Sequence, residues 1–369
     1  MARRRQYLKG IGLGTATLMA GCLGDTGNGN GNGDGPSDDA EVSAAFVMDG
    51  RVGDQGWSWS HGQARERLEE QYDWIDTASR EEVDAADAEQ ALTDFAQRDY
   101  DIIFTTSVTF QDSTPRVAEE FPDTYFANAN GLNWRPEENM SRYTYRLYEP
   151  SYATGVLAGH MTESDLLGYV GAVPIPLNIR DLNAFALGAE SVNPDITVEA
   201  RWTNAFFAPQ DAQTIARNLA DEGADVFAGY MDSIAVSEEF ANLEVLGRNW
   251  ATRLNVEAAG EWNLAVPIVN WDAYYAEQVE AIRDGEWEPT EFWGGLETGM
   301  VEMSEIGPQV SDEATADAED ALERIESGEL NVWEDSKFAD EIDGRPEPGG
   351  FAETSMDDYV DVVAGDPPQ

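Results

Sequence analysis

From Val42 to Leu147, hydrophobic residues occur in short runs separated by longer stretches in which they recur every three or four positions. The short β-rich runs predict strands, and the amphipathic stretches predict helices. Alternating strands and helices are typical of a parallel sheet with helices on both faces. The predicted strands are Ser43–Met48, Ile75–Ala78, Ile102–Thr106, Tyr125–Ala129 and Arg142–Leu147, and the predicted helices are Trp57–Tyr72, Asp84–Arg98 and Thr114–Phe121.

The same alternation restarts after a break at Tyr148–Thr154. A chain of 369 residues exceeds the usual size of a single domain, so two similar α/β lobes are expected. In the second round the predicted strands are Leu167–Ala172, Thr197–Trp202, Val226–Tyr230 and Glu244–Leu246, and the predicted helices are Leu182–Val192, Pro209–Glu222 and Ile234–Ala241.

Beyond Gly260 the rhythm changes, which suggests segments that cross back between the lobes. The elements expected there are a strand at Trp262–Pro267, a helix at Asp272–Asp284, a strand pair within Trp293–Met303, a helix at Glu313–Ser327 and a last helical turn at Met356–Val363. We therefore expect a first lobe of residues 41–148 plus about 263–290, a second lobe of residues 149–262 plus about 291–333, and an acidic tail, 334–369, that packs on the lobes.

The first 40 residues predict export and anchoring. Residues 4–9 read RRQYLK, which resembles a twin-arginine signal, and the apolar run at 11–20 is too short to span a hydrocarbon core of about 30 Å. Residues 18–22 read LMAGC and resemble a lipobox, so we expect cleavage after residue 21 and lipidation of Cys22. Residues 22–40 predict a flexible tether, since the stretch after the cysteine is rich in Gly, Asn and Asp. The alternative is a plain secretory signal with a chance cysteine.

The formal net charge of −50 indicates a salt-adapted surface. The excess of carboxylates is spread along a chain that is 42% hydrophobic, so the body is expected to be globular. At molar salt the Debye length is about 3 Å, which weakens repulsion between carboxylates. This pattern resembles proteins of extreme halophiles. Such a surface excludes nucleic acid as a partner, because phosphate binding needs clustered cations.

Residues suited to catalysis are scarce, so we expect no enzyme, no catalytic residues, no metal and no cofactor. The two histidines, His61 and His160, lie in separate helical patterns without metal-ligand spacing. We expect His61 on a helix surface and His160 partly buried with a partner. No G-x-S-x-G, Walker or dinucleotide-binding fingerprint occurs.

Aromatic residues at strand ends predict a ligand cleft, because ligands of doubly wound sheets bind outside the carboxyl ends of the strands. Asp49 ends the first strand, and a Gly-rich turn leads into Trp57. In the second half, Phe206 and Phe207 follow a strand in the same way. Facing aromatics would stack on a planar ring, and Asp49 would accept hydrogen bonds from it. The alternative is that Trp57 only packs its helix on the sheet.

Several short segments, taken in their order and spacing, resemble the basic membrane protein (BMP) family, lipoproteins that serve as purine-binding receptors of ABC importers. These segments are VGDQGWS at 52–58, YEPSYATGVLAG at 148–159, GYVG at 168–171, AFALGA at 184–189 with VNPD at 192–195, and GADV at 223–226. The resemblance implies a type I periplasmic-binding-protein fold, in which two doubly wound, Rossmann-like α/β lobes close on a ligand. It also implies a lipid-anchored receptor on the extracellular face of the cell membrane that delivers a purine nucleobase or nucleoside to a permease.

The resemblance also assigns roles to residues. Trp57 and either Phe206 or Phe207 would stack on the purine, and Asp49 would hold the base edge. Ser58 stands where the family usually has Asn. The turn containing Asn249 and Trp250 lacks the family's ribose-anchoring Asp, which favours a nucleobase. Further candidates for the ligand-binding site are Asp272, in a tryptophan-rich segment similar to a subgroup that favours adenine-like bases, and Tyr152 and Arg180.

Three other functions stay open. The same fold would bind a sugar or an amino acid, since aromatic stacking also suits sugars. A surface sensor would share the fold as well. A nucleoside-cleaving enzyme is less favoured, because it would need a metal or an activated water.

Overall fold

The computed structural model describes residues 35–37, 39–131, 139–336, 339, 356 and 358–365. Its strands are β1 (Val42–Val47), β2 (Ile75–Arg80), β3 (Ile102–Thr105), β4 (Tyr125–Ala129), β5 (Met140–Tyr145), β6 (Leu166–Gly171), β7 (Thr197–Trp202), β8 (Val226–Tyr230), β9 (Leu246–Arg248), β10 (Pro267–Val269), β11 (Glu291–Gly294), β12 (Val301–Met303) and β13 (Val363–Gly365). Its α-helices are α1 (Trp57–Gln71), α2 (Ala88–Ala96), α3 (Ser113–Glu120), α4 (Tyr148–Met161), α5 (Pro176–Val192), α6 (Pro209–Asp221), α7 (Ala235–Leu243), α8 (Leu254–Ala259), α9 (Trp271–Asp284) and α10 (Asp312–Glu326).

The first lobe is built on a six-stranded parallel sheet with the order β11-β5-β4-β3-β1-β2. Every residue of β1 is buried, as expected for a central parallel strand that is covered on both faces. On one face Phe46 and Phe104 stack at 5.0 Å against α1 and α9, and on the other Ala45 and Ile103 pack against α2 and α3. Because both faces are covered, the edge formed by the carboxyl ends of the strands is left for binding.

The second lobe repeats this plan with a five-stranded parallel sheet in the order β13-β7-β6-β8-β9. Helix α5 begins with Pro176 at its first turn, where the missing N–H costs nothing, and α6 begins in the same way with Pro209. A short antiparallel pair, β10 with β12, forms a third sheet. None of the helices within the described residues is long and apolar enough to span a membrane.

Helices α4 and α5 pack closely, and glycines make this packing possible. A Cβ on Gly155 would lie 2.0 Å from the carbonyl oxygen of Phe185. On the facing helix, a Cβ on Gly188 would lie 1.9 Å from the carbonyl oxygen of Tyr152. The two segments at 148–159 and 184–189 that carried the family resemblance therefore include a structural seam of the second lobe.

Most predicted elements are confirmed with shifts of up to three residues, and helices α2 and α5 with starts four and six residues from the predicted ones, but four expectations are wrong. Trp262–Pro267 is not a strand, since a 3-10 turn covers Gly260–Trp262 and β10 only begins at Pro267. The strands within Trp293–Met303 do not pair with each other, because β11 joins the first sheet and β12 pairs with β10. As a consequence, residues 291–294 belong with the first lobe's sheet and not with the second lobe.

The fourth wrong expectation is the helical turn at Met356–Val363. The described residues of this range form no helix: a turn at 361–362 leads into β13, which runs parallel to β7 at the edge of the second sheet. The side chain of Asn183 donates a hydrogen bond to the carbonyl oxygen of Asp358 at 3.0 Å, which fixes this part of the tail on the second lobe. The predicted signal, Cys22 and most of the predicted tether lie outside the described residues.

Candidate ligand-binding site

A cavity of about 880 Å³ lies between the lobes, a volume suited to a small ligand. Its lining residues lie at or after the carboxyl ends of nine strands, five in the first lobe and four in the second, as the rule for open α/β sheets demands. From the first lobe come Asp49, Gly50, Arg51, Gly53, Asp54, Trp57, Ser58, Glu82, Asp84, Ser107, Val108, Thr109, Asn130 and Tyr145, and from the second come Ile175, Leu177, Asn178, Phe206, Phe207, Tyr230, Asp232 and Trp250.

The turn between β1 and α1 is held by the carboxylate of Asp54. Its Oδ1 accepts hydrogen bonds from the backbone N–H of Gly56 at 2.8 Å and of Trp59 at 2.9 Å, and its Oδ2 accepts one from Ser58 at 2.9 Å. These bonds satisfy N–H groups in the first turn of α1, which otherwise have no partner within the helix. Burial raises the pKa of Asp54, while the three backbone bonds oppose that shift. Asp54 thereby fixes the start of α1, where Trp57 is the first residue.

Trp57 is fixed on several sides. Its Nε1 donates a hydrogen bond to the carbonyl oxygen of Thr106 at 2.9 Å. Its ring meets His61 and Trp271 edge-on, at centroid distances of 4.7 and 5.1 Å. These contacts within the first lobe fix the orientation of the indole ring before any ligand binds.

His61 lies in the core behind Trp57, so the expectation of a surface histidine is wrong. It is fully buried, stacks on Trp271 at 4.0 Å, and its Nδ1 lies 2.6 Å from the hydroxyl oxygen of Tyr275. Burial lowers the pKa of His61 well below its usual value, which keeps the ring neutral. The expectation for His160 is confirmed, because its Nε2 lies 2.8 Å from a carboxylate oxygen of Asp317.

Aromatic rings continue from Trp57 into the second lobe. Trp57 lies nearly parallel to Trp250, with centroids 5.9 Å apart, and Trp250 stacks on Tyr230 at 3.9 Å. The hydroxyl groups of Tyr230 and Tyr145 lie 3.0 Å apart and join the two lobes at the floor of the cavity. Aromatic residues of the two lobes are therefore in contact with each other along the wall of the cavity.

The opposite rim carries Phe206 and Phe207, which are 44% and 59% exposed. Val108, which is 38% exposed, lies at the rim of the first lobe. Large exposed hydrophobic side chains that border one cavity mark a binding surface. The carbonyl oxygen of Phe206 accepts a hydrogen bond from the backbone N–H of Asp232 at 3.0 Å, which ties this rim to the cavity floor.

Asp232 is one of the site residues that the sequence analysis missed. It follows β8 as Asp49 follows β1, and that position after a strand was the available signal. Its Oδ1 is shielded from solvent and has no hydrogen-bond partner among the described residues. Burial, and then the nearby carboxylates of Asp54 and Asp49, raise the pKa of Asp232 well above its usual value.

Six of the ten predicted ligand-binding residues line this cavity: Asp49, Trp57, Ser58, Phe206, Phe207 and Trp250. Asp49 lies at the rim, and its Oδ2 accepts a hydrogen bond from the Thr109 hydroxyl at 3.1 Å. The remaining four residues lie elsewhere. Asn249 supports the site from behind, because its side chain bonds to the backbone of Met231 and Ser233 and so fixes the loop that carries Asp232.

The other three exceptions have structural surroundings. Asp272 forms an exposed ion pair with Arg67. Tyr152 lines a separate cavity of about 140 Å³ beside α5. Arg180 is buried within 6.0 Å of the ring of Trp293, and its burial lowers its pKa. Their positions in the sequence did not reveal that these three residues lie outside the cavity.

The carboxylates of the cavity do not form a metal centre. Among the residues that the structure describes, no group of three or more His, Cys, Asp or Glu side chains is arranged to hold a metal ion. Their chemistry is that of hydrogen-bond acceptors placed beside aromatic ring faces.

A sequence model for PnrA-like ABC transporter substrate-binding proteins, the Bmp family, matches residues 41–336. The chain belongs to the Bmp family. It is therefore a substrate-binding protein of the ABC-transporter type, a class of binding proteins and not of enzymes, in accord with the expectation from its motifs.

Two curated Bmp-family relatives differ in the ligand that their names state. The chain is 41% identical over 336 residues to a putative ABC transporter glucose-binding protein of Haloferax volcanii, covering 90% of this chain and 83% of that one. It is 35% identical over 295 residues to a purine-binding protein of Brucella abortus, covering 79% and 83%. The two relatives are both binding proteins, but their names state different classes of ligand, a sugar and a purine.

Solved structures support the fold of this Bmp-family chain. An ABC transporter solute-binding protein of Conexibacter woesei superposes with a TM-score of 0.68 at 24% identity, over 79% of this chain and 98% of that one. One from Aeropyrum pernix gives a TM-score of 0.69 at 17% identity, over 82% and 96%. The type I periplasmic-binding-protein fold, with two α/β lobes, is confirmed.

Proposed function

We propose that this protein captures a purine nucleobase or nucleoside between its lobes and delivers it to the permease of an ABC importer. The observation that carries this proposal is the combination of Trp57, held by the first lobe, with Phe206 and Phe207 on the facing rim of one cavity. Stacking between aromatic side chains and bases contributes about 1–3 kcal/mol per base. The carboxylate of Asp49 supplies an acceptor for an N–H group of a base edge, and the side chain of Asp232 lines the same cavity.

Calorimetric titration in molar salt tests this function. The probes are adenine, guanine, adenosine, guanosine, inosine and D-glucose. We expect heat and quenching of tryptophan fluorescence with at least one purine, because Trp57 forms part of the wall. Identification by mass spectrometry of any small molecule that co-purifies with the folded protein provides an independent readout. The purine assignment fails if none of the five purines produces heat or quenching.

The second candidate ligand is a glucose-like sugar, and the name of the Haloferax volcanii relative favours it. Carboxylates beside aromatic faces also suit sugar hydroxyls and the apolar face of a sugar ring. Binding of D-glucose without binding of any purine would replace the proposed ligand and keep the receptor role.

The same proposal places the receptor outside the membrane, held by a lipid on Cys22 after twin-arginine export. A tether raises the effective concentration of the receptor at one permease. Cys22→Ser should release the protein from the membrane fraction while its ligand binding is unchanged. A variant that stays with the membrane in detergent phase partitioning would contradict the anchor.

A further inference from the structure

Asp232 occupies a point where the two lobes touch. It follows β8 of the second lobe, and Gly56 of the first lobe lies against it so closely that a Cβ on Gly56 would come within 2.6 Å of the Cα of Asp232. The backbone N–H of Asp232 is engaged by the carbonyl oxygen of Phe206. The backbone of this residue is therefore fixed, and its side chain lines the cavity.

The charged groups around Asp232 do not offset a negative charge. From the first lobe, the carboxyl groups of Asp54 and Asp49 approach it, and the hydroxyl of Tyr145 lies near it. From its own lobe, Tyr230 faces the same floor and bonds to Tyr145. Placing a third carboxylate beside two others in a shielded position is costly unless it carries a proton.

The cations near the cavity are directed elsewhere. At the rim, Arg51 pairs with Glu82 at 2.6 Å, and behind the floor Arg180 lies over the ring of Trp293. Within the described part of the chain, no arginine or histidine forms an ion pair with Asp232. Burial and the two neighbouring carboxyl groups accordingly raise its pKa.

We propose that Asp232 binds the ligand as a neutral carboxylic acid, donating one hydrogen bond and accepting another along a single edge of the ligand. This inference rests on the proposed function, that the cavity captures a small ring. A protonated carboxyl group has a donor and an acceptor side by side, whereas a carboxylate only accepts. Its complement is a neutral edge with an adjacent ring nitrogen and N–H, as in adenine. Phosphorylated ligands are disfavoured, because the neighbouring carboxylates repel them.

Two substitutions separate the neutral acid from the carboxylate. Asp232→Asn keeps the shape, one donor and one acceptor, and Asp232→Ala removes both. Calorimetric titration with adenine, and in parallel with D-glucose, should give an affinity for Asp232→Asn within about threefold of the wild type. Asp232→Ala should bind about ten- to a hundredfold more weakly, since ligand groups then lose their partners. Glu238→Gln, which removes an exposed carboxylate from the helix after Asp232, is the matched control and should bind as the wild type does.

The pH profile gives the second readout. Wild-type affinity should be constant below the pKa of Asp232, should fall as the pH rises through it, and should never rise over the range from about pH 5 to about pH 8.5. Titration in buffers of different ionisation enthalpy should detect proton uptake on binding near that pKa. Asp232→Asn should show neither effect, and circular dichroism confirms that each variant folds.

Three results would overturn the inference. If Asp232→Asn binds as weakly as Asp232→Ala, or if wild-type affinity rises with pH, the ionised carboxylate is the binding form. If all variants bind alike, Asp232 does not contact the ligand. A wild-type protein that binds none of the five purines and no D-glucose contradicts the proposed function itself, a result distinct from these three.

Discussion

The two walls of the cleft are built in different ways. On the first-lobe wall, Asp54 accepts three backbone hydrogen bonds and Trp57 is held by Thr106. On the second-lobe wall, the Oδ1 of Asp232 has no partner among the described residues, and Phe206 and Phe207 are largely exposed. One wall is complete by itself, and the other has unused hydrogen-bonding capacity and uncovered apolar surface.

This difference suggests separate roles for the two walls, initial binding for the first and lobe closure for the second. A preorganised wall spends no ordering entropy when a ligand arrives, so it favours the first encounter. A wall with unsatisfied groups gains most when the lobes close around a ligand, which couples binding to closure. We expect substitutions in the first wall to weaken ligand binding as such, and those in the second wall to change stability or closure as well.

The largest effect is expected from Trp57→Ala. Removing the fixed stacking face should weaken binding of the best purine by about 1–3 kcal/mol and abolish most of the fluorescence quenching. Trp59→Ala is the matched control, since Trp59 lies on the same helix and does not line the cavity. Calorimetry on both variants decides the matter, and equal losses in the two would contradict a stacking role for Trp57.

The next comparison sets Asp232 against Asp54 in the absence of ligand. The pKa of Asp232 is raised in the folded state, so the stability it contributes is present below the unfolded pKa of about 3.9 and is lost as the pH rises toward the folded pKa. Each pH unit in that window costs about 1.4 kcal/mol. Asp232→Asn removes this loss, so it should raise the free energy of unfolding, and by more at pH 8 than at pH 5.

The opposite sign is expected at Asp54, because its carboxylate caps α1. Asp54→Ala should lower the free energy of unfolding by about 1 kcal/mol. Denaturant melts at pH 5 and pH 8 measure both variants. Asp232→Asn must not lower the free energy of unfolding, and its stabilising effect must increase with pH. If either condition fails, the carboxylate of Asp232 is stabilised by groups other than those described.

A smaller effect is expected where the walls touch. Gly56→Ala places a Cβ 2.6 Å from the Cα of Asp232, so the lobes cannot close fully, and binding should weaken by about 1 kcal/mol. Gly53→Ala in the same turn is the control for the steric contact, since Gly53 also borders the cavity but its Cβ would meet nothing within 4 Å. Small-angle scattering with ligand should show a larger radius of gyration for Gly56→Ala alone. A normal affinity for Gly56→Ala would mean that binding does not need this contact.

Much of the fold was predictable because its signals are local. Strand β1 is a short, fully buried β-rich run, and helix α6 shows hydrophobic residues at helical spacing. Both signals lie within consecutive residues. Segments whose structure depends on distant partners were not predictable. Val363–Gly365 becomes a strand only because β7 offers an open edge, and β11 joins β5, which lies far from it in sequence.

The site was predictable to the extent that strand ends were recognised. Asp49 and Trp57 follow β1 with a clear turn between them, whereas Asp232 was one carboxylate among 72 acidic residues. Among the described residues, Asp232 is the only carboxylate with a shielded oxygen that lacks a hydrogen-bond partner, and this position, where the lobes touch, cannot be read from the sequence. Asp272 and Tyr152 were predicted as site residues but lie outside the cavity. Similarity in sequence does not show which face of a helix lines the cleft.

The smallest effects are expected at the exposed rim, and they distinguish Phe206 from Phe207. Phe206 is the less exposed of the two, and its carbonyl group is bonded to Asp232, so its ring is the better placed to cover a ligand. Phe206→Ala should weaken binding by less than about 1 kcal/mol, because a partly exposed ring covers only part of the ligand. Phe207→Ala should weaken it by still less, because this ring is more exposed. Phe206→Tyr, which keeps the ring, should restore wild-type affinity. A greater loss at Phe207 would reverse the assignment and make Phe207 the partner of Trp57 across the cleft.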